Sequence, residues 1–278
     1  MTEYQGSLRK MAATLPVNSE DAVLYSMVLD EQVIGLNSYL GQDISLTYTG
    51  GIHCIHCQRK TNKSFSQGYC YPCFKSLPQC DLCIMSPEKC HYQAGTCRDE
   101  QWADEFCMQD HYVYLANSSA LKVGITRGTQ IPTRWIDQGA VQALPIFRVK
   151  QRHYAGLVEV LFKQHMADKT NWRGMLKGNP ELLDLSAINA KTLPEVAEGI
   201  SALQSEYGID AVQFCDQAET IEIQFPVLEF PTKVTSLNFD KTPQVNGRLM
   251  GIKGQYLLLD TGVLNLRKFT GYQIQFSV

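Results

Sequence analysis

The chain has 278 residues, of which 44% are hydrophobic and 19% charged, and its formal net charge is −3 at pH 7. The composition is ordinarily globular, without a repeat or low-complexity tract, and the length allows roughly two or three small domains. No stretch approaches the run of about 20 apolar residues that a membrane helix requires, and the N-terminal sequence lacks the apolar core of a secretory signal. We therefore expect a cytoplasmic protein that does not bind membranes and whose thiols stay reduced and free to bind metal.

The N-terminal region, residues 1–52, is expected to form β-strands. Residues 22–52 alternate apolar and polar side chains, as in AVLYSMVL and DISLTYTG, and the alternation ends at Gly50 and Gly51. Such alternation, bounded by glycines, is typical of strands with one buried face.

Residues 53–110 form a Cys-rich module that contains nine of the ten cysteines. Cys54 and Cys57, then Cys70 and Cys73, form two Cys-x2-Cys pairs separated by twelve residues. Each pair lets one tight turn present two thiolates to one ion, and two such turns complete the tetrahedron that zinc prefers. A disulfide framework, or thiols buried as small apolar groups, are the alternatives. The spacing predicts a closed four-thiolate zinc site in a module whose fold depends on its metal.

A second metal site is expected in the same module. Its candidate ligands include the imidazoles of His91 and His111 and five further thiolates. The five cysteines are Cys80, Cys83, Cys90, Cys97 and Cys107. Thiolates suit both zinc and iron–sulfur clusters, and we favour a second structural zinc ion, with an iron–sulfur redox centre as the alternative. Cys215, far from the others, is interpreted as a core thiol.

The central region, residues 111–178, combines strand-like and helical patterns and carries a strong positive charge. YVYLA and LKVGIT are strand-like, whereas PTRWIDQ and HYAGLVEVLFKQHMAD are helical. The region holds ten Lys or Arg against three Asp or Glu, while residues 1–110 and 179–278 each have a net charge of −5. A basic segment within an acidic protein favours a polyanionic partner, with DNA or RNA as the leading candidate; a solvated basic face is the alternative.

Residues 179–219 are expected to form a helical connector interrupted by Gly and Pro, and residues 220–278 to return to strands. TIEIQFPVLEF, KVTSLNF, GRLMGIKGQYLLLD and TGYQIQFSV show strand patterns. The N-terminal strands could join this C-terminal β region and bring the termini together. The predicted fold class is α+β: a Cys-rich zinc-knuckle module, a central α/β domain with a small antiparallel sheet, and a flanking β-rich barrel or sandwich.

The central region resembles the GIY-YIG nuclease domain. Tyr114 stands where that family has the end of its first motif, and Lys122 opens the K-V-G stretch that stands where it has the second. Arg134 matches the family's helix arginine, Glu159 its metal-binding glutamate and, more weakly, Asn171 a late asparagine. Lys122 replaces the family's second tyrosine, and the histidine that often follows the helix arginine is absent. The Cys-rich module with VGITR, RWIDQGA and DKTNWR is also similar to an uncharacterised family of prokaryotic proteins without an assigned function.

The resemblance implies roles in phosphodiester hydrolysis for four residues. Glu159 would hold one Mg²⁺ or Mn²⁺ ion, and Tyr114 would activate water, with its phenol pKa lowered by nearby positive charge. Arg134 and Lys122 would offset transition-state charge, and Lys122 could act as a base if desolvated. Simpler alternatives are a salt bridge for Glu159, a surface position for Arg134 and packing for Tyr114.

Four further residues are expected to contact nucleic acid: Arg127, Trp135, Asn171 and Arg173. The leading hypothesis is a zinc-binding protein whose central domain engages DNA or RNA and could cut it with a divalent metal ion. The alternative is a noncatalytic nucleic-acid or protein adaptor that retains the nuclease scaffold.

Overall fold

The structure, a computed structural model, describes residues 2–18 and 20–278. In these ranges the chain forms three antiparallel sheets, six α-helices and several short 3-10 turns. The strands are β1 (Glu3–Ser7), β2 (Ala12–Thr14), β3 (Leu24–Leu29), β4 (Gln32–Gly35), β5 (Asp43–Ile52), β6 (His111–Asn117), β7 (Leu121–Arg127), β8 (Gln142–Val149), β9 (Val212–Phe214), β10 (Ile221–Glu222), β11 (Gln244–Lys253), β12 (Tyr256–Leu259), β13 (Gly262–Asn265) and β14 (Tyr272–Ser277). The helices are α1 (Tyr71–Ser76), α2 (Glu100–Phe106), α3 (Thr133–Asp137), α4 (Arg152–Phe162), α5 (Trp172–Met175) and α6 (Leu185–Tyr207). None of these helices combines the length and apolar character that crossing a bilayer needs.

Strands from both ends of the chain form one flanking β unit. In the six-stranded sheet the order is β1-β14-β5-β11-β12-β13, so the N-terminal strands β1 and β5 lie on either side of the C-terminal β14. The three-stranded sheet β2-β3-β4 shares a hydrophobic core with this sheet, to which Met27, Leu46 and Ile274 contribute. The termini lie together, because Thr2 N donates a hydrogen bond to Val278 O at 3.2 Å. In the described residues neither of these two sheets closes on itself. The topology therefore excludes the barrel and leaves the sandwich as the expected architecture that is compatible with it.

The C-terminal half contains fewer strands than its sequence pattern predicts. The sequence pattern of residues 220–239 predicts two strands, but in the structure only the two-residue β10 forms there. Pro226 and Pro231 lie in this segment, and proline lacks the N–H group that a sheet ladder needs. The segment instead buries Ile223 and Phe225 in the core of the flanking unit without forming a longer strand.

Helix α6 runs for 23 residues and passes through Pro194 without a break, although Gly and Pro were expected to interrupt it. Leu185, Val196 and Ile200 pack from one face of α6 against the central sheet. This burial outweighs the hydrogen bond that Pro194 cannot donate. The central unit therefore continues beyond residue 178. Its core includes residues of α6 and β9, and its sheet includes β9 and β10, which both pair with β8.

The central sheet is built around the β6–β7 hairpin and is covered on both faces. The register pairs Tyr114 with Gly124 and Ala116 with Lys122. Because side chains alternate along a strand, neighbouring residues face opposite sides of the sheet. Tyr114 and Ala116 face the core of the flanking unit. The other face packs against α4 and α6 through Val113, Leu115, Val123 and Ile125.

Gly124 makes room for the ring of Tyr114. A Cβ atom at position 124 would lie 2.8 Å from both Cζ and the hydroxyl oxygen of Tyr114. Trp135 of α3 is fully buried and meets the same ring edge-on, with the ring centroids 5.9 Å apart. The glycine and the tryptophan together fix the orientation of Tyr114.

Helix α4 packs on the sheet through an apolar stripe that includes Val158 and Phe162. The helix ends at Phe162, whereas the sequence pattern predicts a helix through Asp168. The chain then turns back along β7, and Val123 N donates to Ala167 O at 2.9 Å. This pairing satisfies the edge of β7 and brings Asp168 next to the sheet.

The Cys-rich module has two lobes that contact different parts of the molecule. The first lobe, residues 53–80, follows β5 directly, and His53 N donates to Gly271 O in the flanking unit at 2.7 Å. The second lobe, residues 81–110, packs on α4, where Arg152 Nη2 donates to Ile84 O at 2.7 Å. The module therefore bridges the flanking and central units.

A single carboxylate joins three parts of the chain. Asp137, at the end of α3, has a side chain that is only 4% exposed and pairs with Lys10 Nζ at 2.5 Å. It also pairs with Arg267 Nη1 at 3.6 Å and accepts a hydrogen bond from Gln255 Nε2 at 2.9 Å. These contacts tie the central unit to both the N-terminal and the C-terminal strands.

Replacing Asp137 with Ala should lower the free energy of unfolding by about 2 kcal/mol, because Lys10 and Arg267, whose side chains are 34% and 31% exposed, lose the buried carboxylate that pairs with them. Asp43→Ala is the matched control: Asp43 pairs with Arg248 at 3.7 Å, but its side chain is 81% exposed. The control should therefore lose less than about 1 kcal/mol. Urea denaturation measures both values, and equal losses would contradict the structural role of Asp137.

Candidate metal centre and active site

Four cysteines of the first lobe meet in space. The Sγ atoms of Cys54, Cys57, Cys70 and Cys73 all lie within 4.8 Å of one another, and those of Cys57 and Cys70 are 3.7 Å apart. Four sulfurs at about 2.3 Å around a tetrahedral zinc ion lie about 3.8 Å from each other. The two Cys-x2-Cys turns thus form a four-cysteine cluster with the dimensions of a structural zinc site.

Backbone hydrogen bonds favour the thiolate of Cys54 in this cluster. Burial acts to raise the pKa of Cys54, but backbone N–H groups, chiefly those of Cys57, Cys70 and His56, outweigh it and lower the pKa to about 6. Burial, with the neighbouring thiols, raises the pKa of Cys73 well above its usual value. Several thiolates in one place repel each other, and a soft divalent cation removes this repulsion. Sulfur-only coordination suits zinc and not Mg²⁺ or Ca²⁺.

The remaining cysteines of the module divide between the two lobes. Cys80 lies beside the first cluster, close to Cys54 and Ser66. Four others line one small cavity in the second lobe; they are Cys83, Cys90, Cys97 and Cys107. Outside the module, Cys215 is partly buried just after β9.

The two histidines considered as ligands have different surroundings. His91 lies near Asp81 and Cys83, and ligand atoms of these three residues approach within 4.8 Å of one another. His111, on β6, does not line the second-lobe cavity. Its Nδ1 contacts Gln109 O at 2.8 Å, and burial lowers its pKa to about 4.

A groove of about 820 Å³ opens where the module, the central sheet and the flanking unit meet. Six cations and three carboxylates line it, so its formal charge is positive: Arg9, Lys10, Arg127, Arg134, Arg152 and Arg267, against Asp137, Glu159 and Asp168. A second space of about 760 Å³ shares Gln138, Asp168 and Arg267 with it and is also lined by Lys122. We refer to the two together as the central groove.

Two predicted catalytic residues meet at Gln138 in the floor of the central groove. The hydroxyl of Tyr114 donates to Gln138 Oε1 at 2.9 Å, and Lys122 Nζ donates to the same oxygen at 2.7 Å. Burial raises the pKa of Tyr114, although Arg134 opposes the shift. The lowered phenol pKa that the sequence suggested is therefore wrong in direction, because the ring is fully enclosed.

The pKa of Lys122 is shifted in the opposite direction from that of Tyr114. It is 2% exposed, and burial, assisted by the charge of Arg134, lowers its pKa to about 8. Desolvation disfavours the charged form of an amine. Lys122 is thus better suited than Tyr114 to exchange a proton near neutral pH.

Glu159 faces the central groove from α4 and is 8% exposed. Its Oε2 pairs with Lys163 Nζ at 3.1 Å, and the same ammonium pairs with Asp168 Oδ2 at 3.3 Å. Burial raises the pKa of Glu159, while Lys163 opposes the shift. The salt bridge considered as the simpler role for Glu159 is thus present. It also places two carboxylates, those of Glu159 and Asp168, on one ammonium.

Two residues expected to touch nucleic acid have structural roles, although only Trp135 is buried and Asn171 is exposed. Trp135 is fully buried, so its ring supports Tyr114 and cannot stack on a nucleobase. Asn171 caps α5, where its Oδ1 accepts a hydrogen bond from Gly174 N at 3.1 Å. Capping side chains are held in place by the backbone that they satisfy.

The two arginines of the same prediction are, like Asn171, accessible to a ligand. Arg127 lines the central groove with its guanidinium over the ring of Phe106, 4.9 Å from the centroid. Arg173 is exposed and lies over the ring of Trp172 at 4.4 Å.

Several residues of the groove were missed by the sequence analysis. Gln138 and Asp168 lie beside predicted site residues, and the polar pair at the end of RWIDQ, the helix segment that carries Arg134, was the available signal for Gln138. Lys10 and Arg267 come from opposite ends of the chain. No local pattern could have connected them with the central region.

A family model described as "Protein of unknown function (DUF2797)" matches residues 41–274, which contain the whole of the Cys-rich and central units and part of the flanking unit. No curated protein and no solved structure matches the chain. Because the family description states no activity, the function has to be argued from the geometry.

Cys70→Ser should remove about one zinc ion per chain and unfold the first lobe, because this lobe has only a small core around the cysteines themselves. Cys215→Ser is the control, since this thiol lies outside the module. Elemental analysis and thermal melting provide the two measurements. Full retention of zinc and of the melting temperature by Cys70→Ser would contradict the assignment.

Proposed function

The chain belongs to the DUF2797 family of proteins of unknown function, and we propose that its central groove binds DNA or RNA and hydrolyses a phosphodiester bond. In this proposal the four-cysteine cluster of the first lobe holds a structural zinc ion. The zinc braces one wall of the groove and takes no part in the chemistry.

The concentration of buried charge in one groove carries this proposal. Lys122 is 2% exposed and Glu159 8%, and both line the central groove. Burying charges is costly, and apolar residues of similar size often stabilise a fold as well or better. Titratable groups with shifted pKa values in a cleft are typical of functional sites. The surplus of cations around them favours a ligand that carries phosphates.

The resemblance to the GIY-YIG nuclease domain supports the same proposal. Its four matching residues, Tyr114, Lys122, Arg134 and Glu159, lie on β6, β7, α3 and α4 in turn. Lys122, Arg134 and Glu159 line the central groove, and Tyr114 joins them through Gln138. One groove that collects these residue types can bind a phosphate and activate water.

In the proposed reaction a water oxygen attacks phosphorus, and the bond from phosphorus to the leaving sugar oxygen breaks. Neutral Lys122 accepts the proton of the water, and with a pKa of about 8 about one tenth of the molecules hold this form at pH 7. Gln138 Oε1 accepts a hydrogen bond from the ammonium that results. The leaving oxygen takes a proton from solvent.

Arg134 and Glu159 have complementary tasks on the phosphate. The guanidinium of Arg134 can donate two parallel hydrogen bonds to the nonbridging oxygens and offset the charge that develops there. Glu159 and Asp168 would hold Mg²⁺ or Mn²⁺ in place of the ammonium of Lys163. Such an ion, when bound, polarises the phosphate and stabilises the leaving oxygen.

One observation favours a noncatalytic adaptor as the second candidate. Lys163 already pairs with both Glu159 and Asp168, so a metal ion would have to displace a cation that satisfies them. The groove would then bind nucleic acid without cutting it. Wild-type protein that leaves every nucleic acid intact, yet binds with an affinity that falls as salt rises, would select this candidate.

Glu159→Gln should lower the rate of cleavage by about 100-fold, because the neutral amide cannot balance a divalent ion beside the phosphate. The assay uses labelled single-stranded, duplex and branched DNA and RNA with Mg²⁺ or Mn²⁺. Glu195→Gln is the matched control: Glu195 also pairs with a neighbour, His165 at 2.8 Å, but does not line the groove. Undiminished cleavage by Glu159→Gln would end the assignment of Glu159.

The cleavage rate should rise with pH and level off above about 8, because Lys122 must lose a proton before it can accept one. Lys122→Arg stays charged at all these pH values, so it should lose the rising limb and about 100-fold in rate.

Lys253→Met is the control for this profile. Burial lowers the pKa of Lys253 to about 8 as well, but its ammonium donates to Gly178 O and Asn179 Oδ1, and it does not line the groove. Its profile should match that of the wild type. A Lys122→Arg profile that still rises near pH 8 would place the proton acceptor elsewhere.

A further inference from the structure

The second lobe of the Cys-rich module encloses a cavity of about 20 Å³. Cys83, Cys90, Cys97 and Cys107 line it, and each comes from a different turn of the chain. A cavity of this volume has room for about one atom-sized occupant, such as a single metal ion. We propose that these four cysteines hold a second structural zinc ion, independent of the function proposed for the central groove.

The lobe has little else to hold it together. Among residues 81–107 the buried ones are Pro87, Ala103 and Cys107, and all the cysteines are free thiols. Apart from α2, the secondary structure there consists of 3-10 turns of three residues. A segment of this length cannot bury enough apolar surface to offset the entropy of ordering it. A metal ion that joins four of its turns supplies the missing free energy.

The charges around the cavity match an anionic metal centre. Zn²⁺ with four thiolates carries a net charge of −2, which is costly to bury without nearby cations. Arg152 lies close enough to Cys107 and Cys83 for their charges to interact, and Arg127 lies close to Cys107. Among the described residues, the buried Nε of Arg152 has no hydrogen-bond partner. Two arginines beside four thiols therefore balance the charge that the zinc site would carry.

The other candidate ligands are occupied elsewhere. Asp81 Oδ2 pairs with Arg98 Nε at 2.6 Å, and Asp81 Oδ1 lies 3.5 Å from His91 Nε2. His91 Nδ1 contacts Thr96 Oγ1 at 2.8 Å, and Cys80 lies beside the first cluster. We therefore take the four cysteines that line the cavity as the ligand set; the sulfurs of Cys90, Cys97 and Cys107 do not all lie within 4.8 Å of one another, so the bound ion would draw them together.

A metal ion at this position would also fix helix α4. The turn Pro87–Lys89, between Cys83 and Cys90, packs so closely on Gly156 that a Cβ atom there would lie 2.6 Å from Glu88 N. Arg152 N donates to Cys107 O at 2.8 Å. The helix that carries Glu159 therefore rests on the loops that the second zinc ion would hold.

Zinc content tests the proposal directly. Wild-type protein purified from zinc-supplemented cells should contain about two zinc ions per chain, and Cys97→Ser about one. Cys80→Ser is the matched control and should keep both ions. A wild-type content of about one, loss of an ion from Cys80→Ser, or iron with absorption in the visible range would overturn the proposal.

Zinc-edge X-ray absorption of the wild type gives an answer even if Cys97→Ser does not fold. The average shell should contain about four sulfurs at about 2.3 Å and no lighter atoms. Nitrogen or oxygen in that shell would assign the second ion to Asp81 and His91 and overturn the four-thiolate site.

Hydrogen exchange tests the link to the helix. The amides of α4 should exchange at least about tenfold faster in Cys97→Ser than in Cys80→Ser. Equal rates would remove the link between the second site and α4.

Discussion

The carboxylate of Asp137 and the amide of the adjacent Gln138 are the contacts on which the central groove depends. Asp137 holds Lys10 and Arg267, which lie near opposite ends of the chain, and Gln138 accepts hydrogen bonds from Tyr114 and Lys122. The short helix α3 thus connects the walls of the groove with its floor. The carboxylate of Asp137 is almost fully buried, so it needs the cations that the other units supply.

The Cys-rich module is stabilised differently from the flanking and central units. The flanking and central units have extended hydrophobic cores, whereas the Cys-rich module has only a small cluster around its first four cysteines. In the proposed reading, thiolate–zinc bonds replace the apolar burial that the module lacks. Because both lobes line the groove, its shape would then depend on metal as well as on packing.

Burying the ionisable groups of the groove lowers the stability of the fold. Burial lowers the pKa of Lys122 and raises the pKa of Glu159, so in both residues it favours the neutral form. Natural proteins often retain such groups at sites where activity outweighs stability. Lys253, buried in a similar way, has its ammonium satisfied by Gly178 and Asn179. The difference between the two lysines is access to the groove, and this is why only Lys122 has a role in the proposed chemistry.

Features that depend on local spacing could be predicted from the amino-acid sequence. Two residues between cysteines set the geometry of a turn, so the cluster of Cys54, Cys57, Cys70 and Cys73 was predictable, as were strands with alternating side chains. Burial and the pairing of distant residues, in contrast, became visible in the folded structure. It enclosed Trp135, raised the pKa of Tyr114 where a lowered value was expected, and carried α6 through Pro194. It also divided the later cysteines between two lobes and brought Lys10 to Asp137. Desolvation and charge pairing depend on which distant residues cover a group, and no local pattern contains that information.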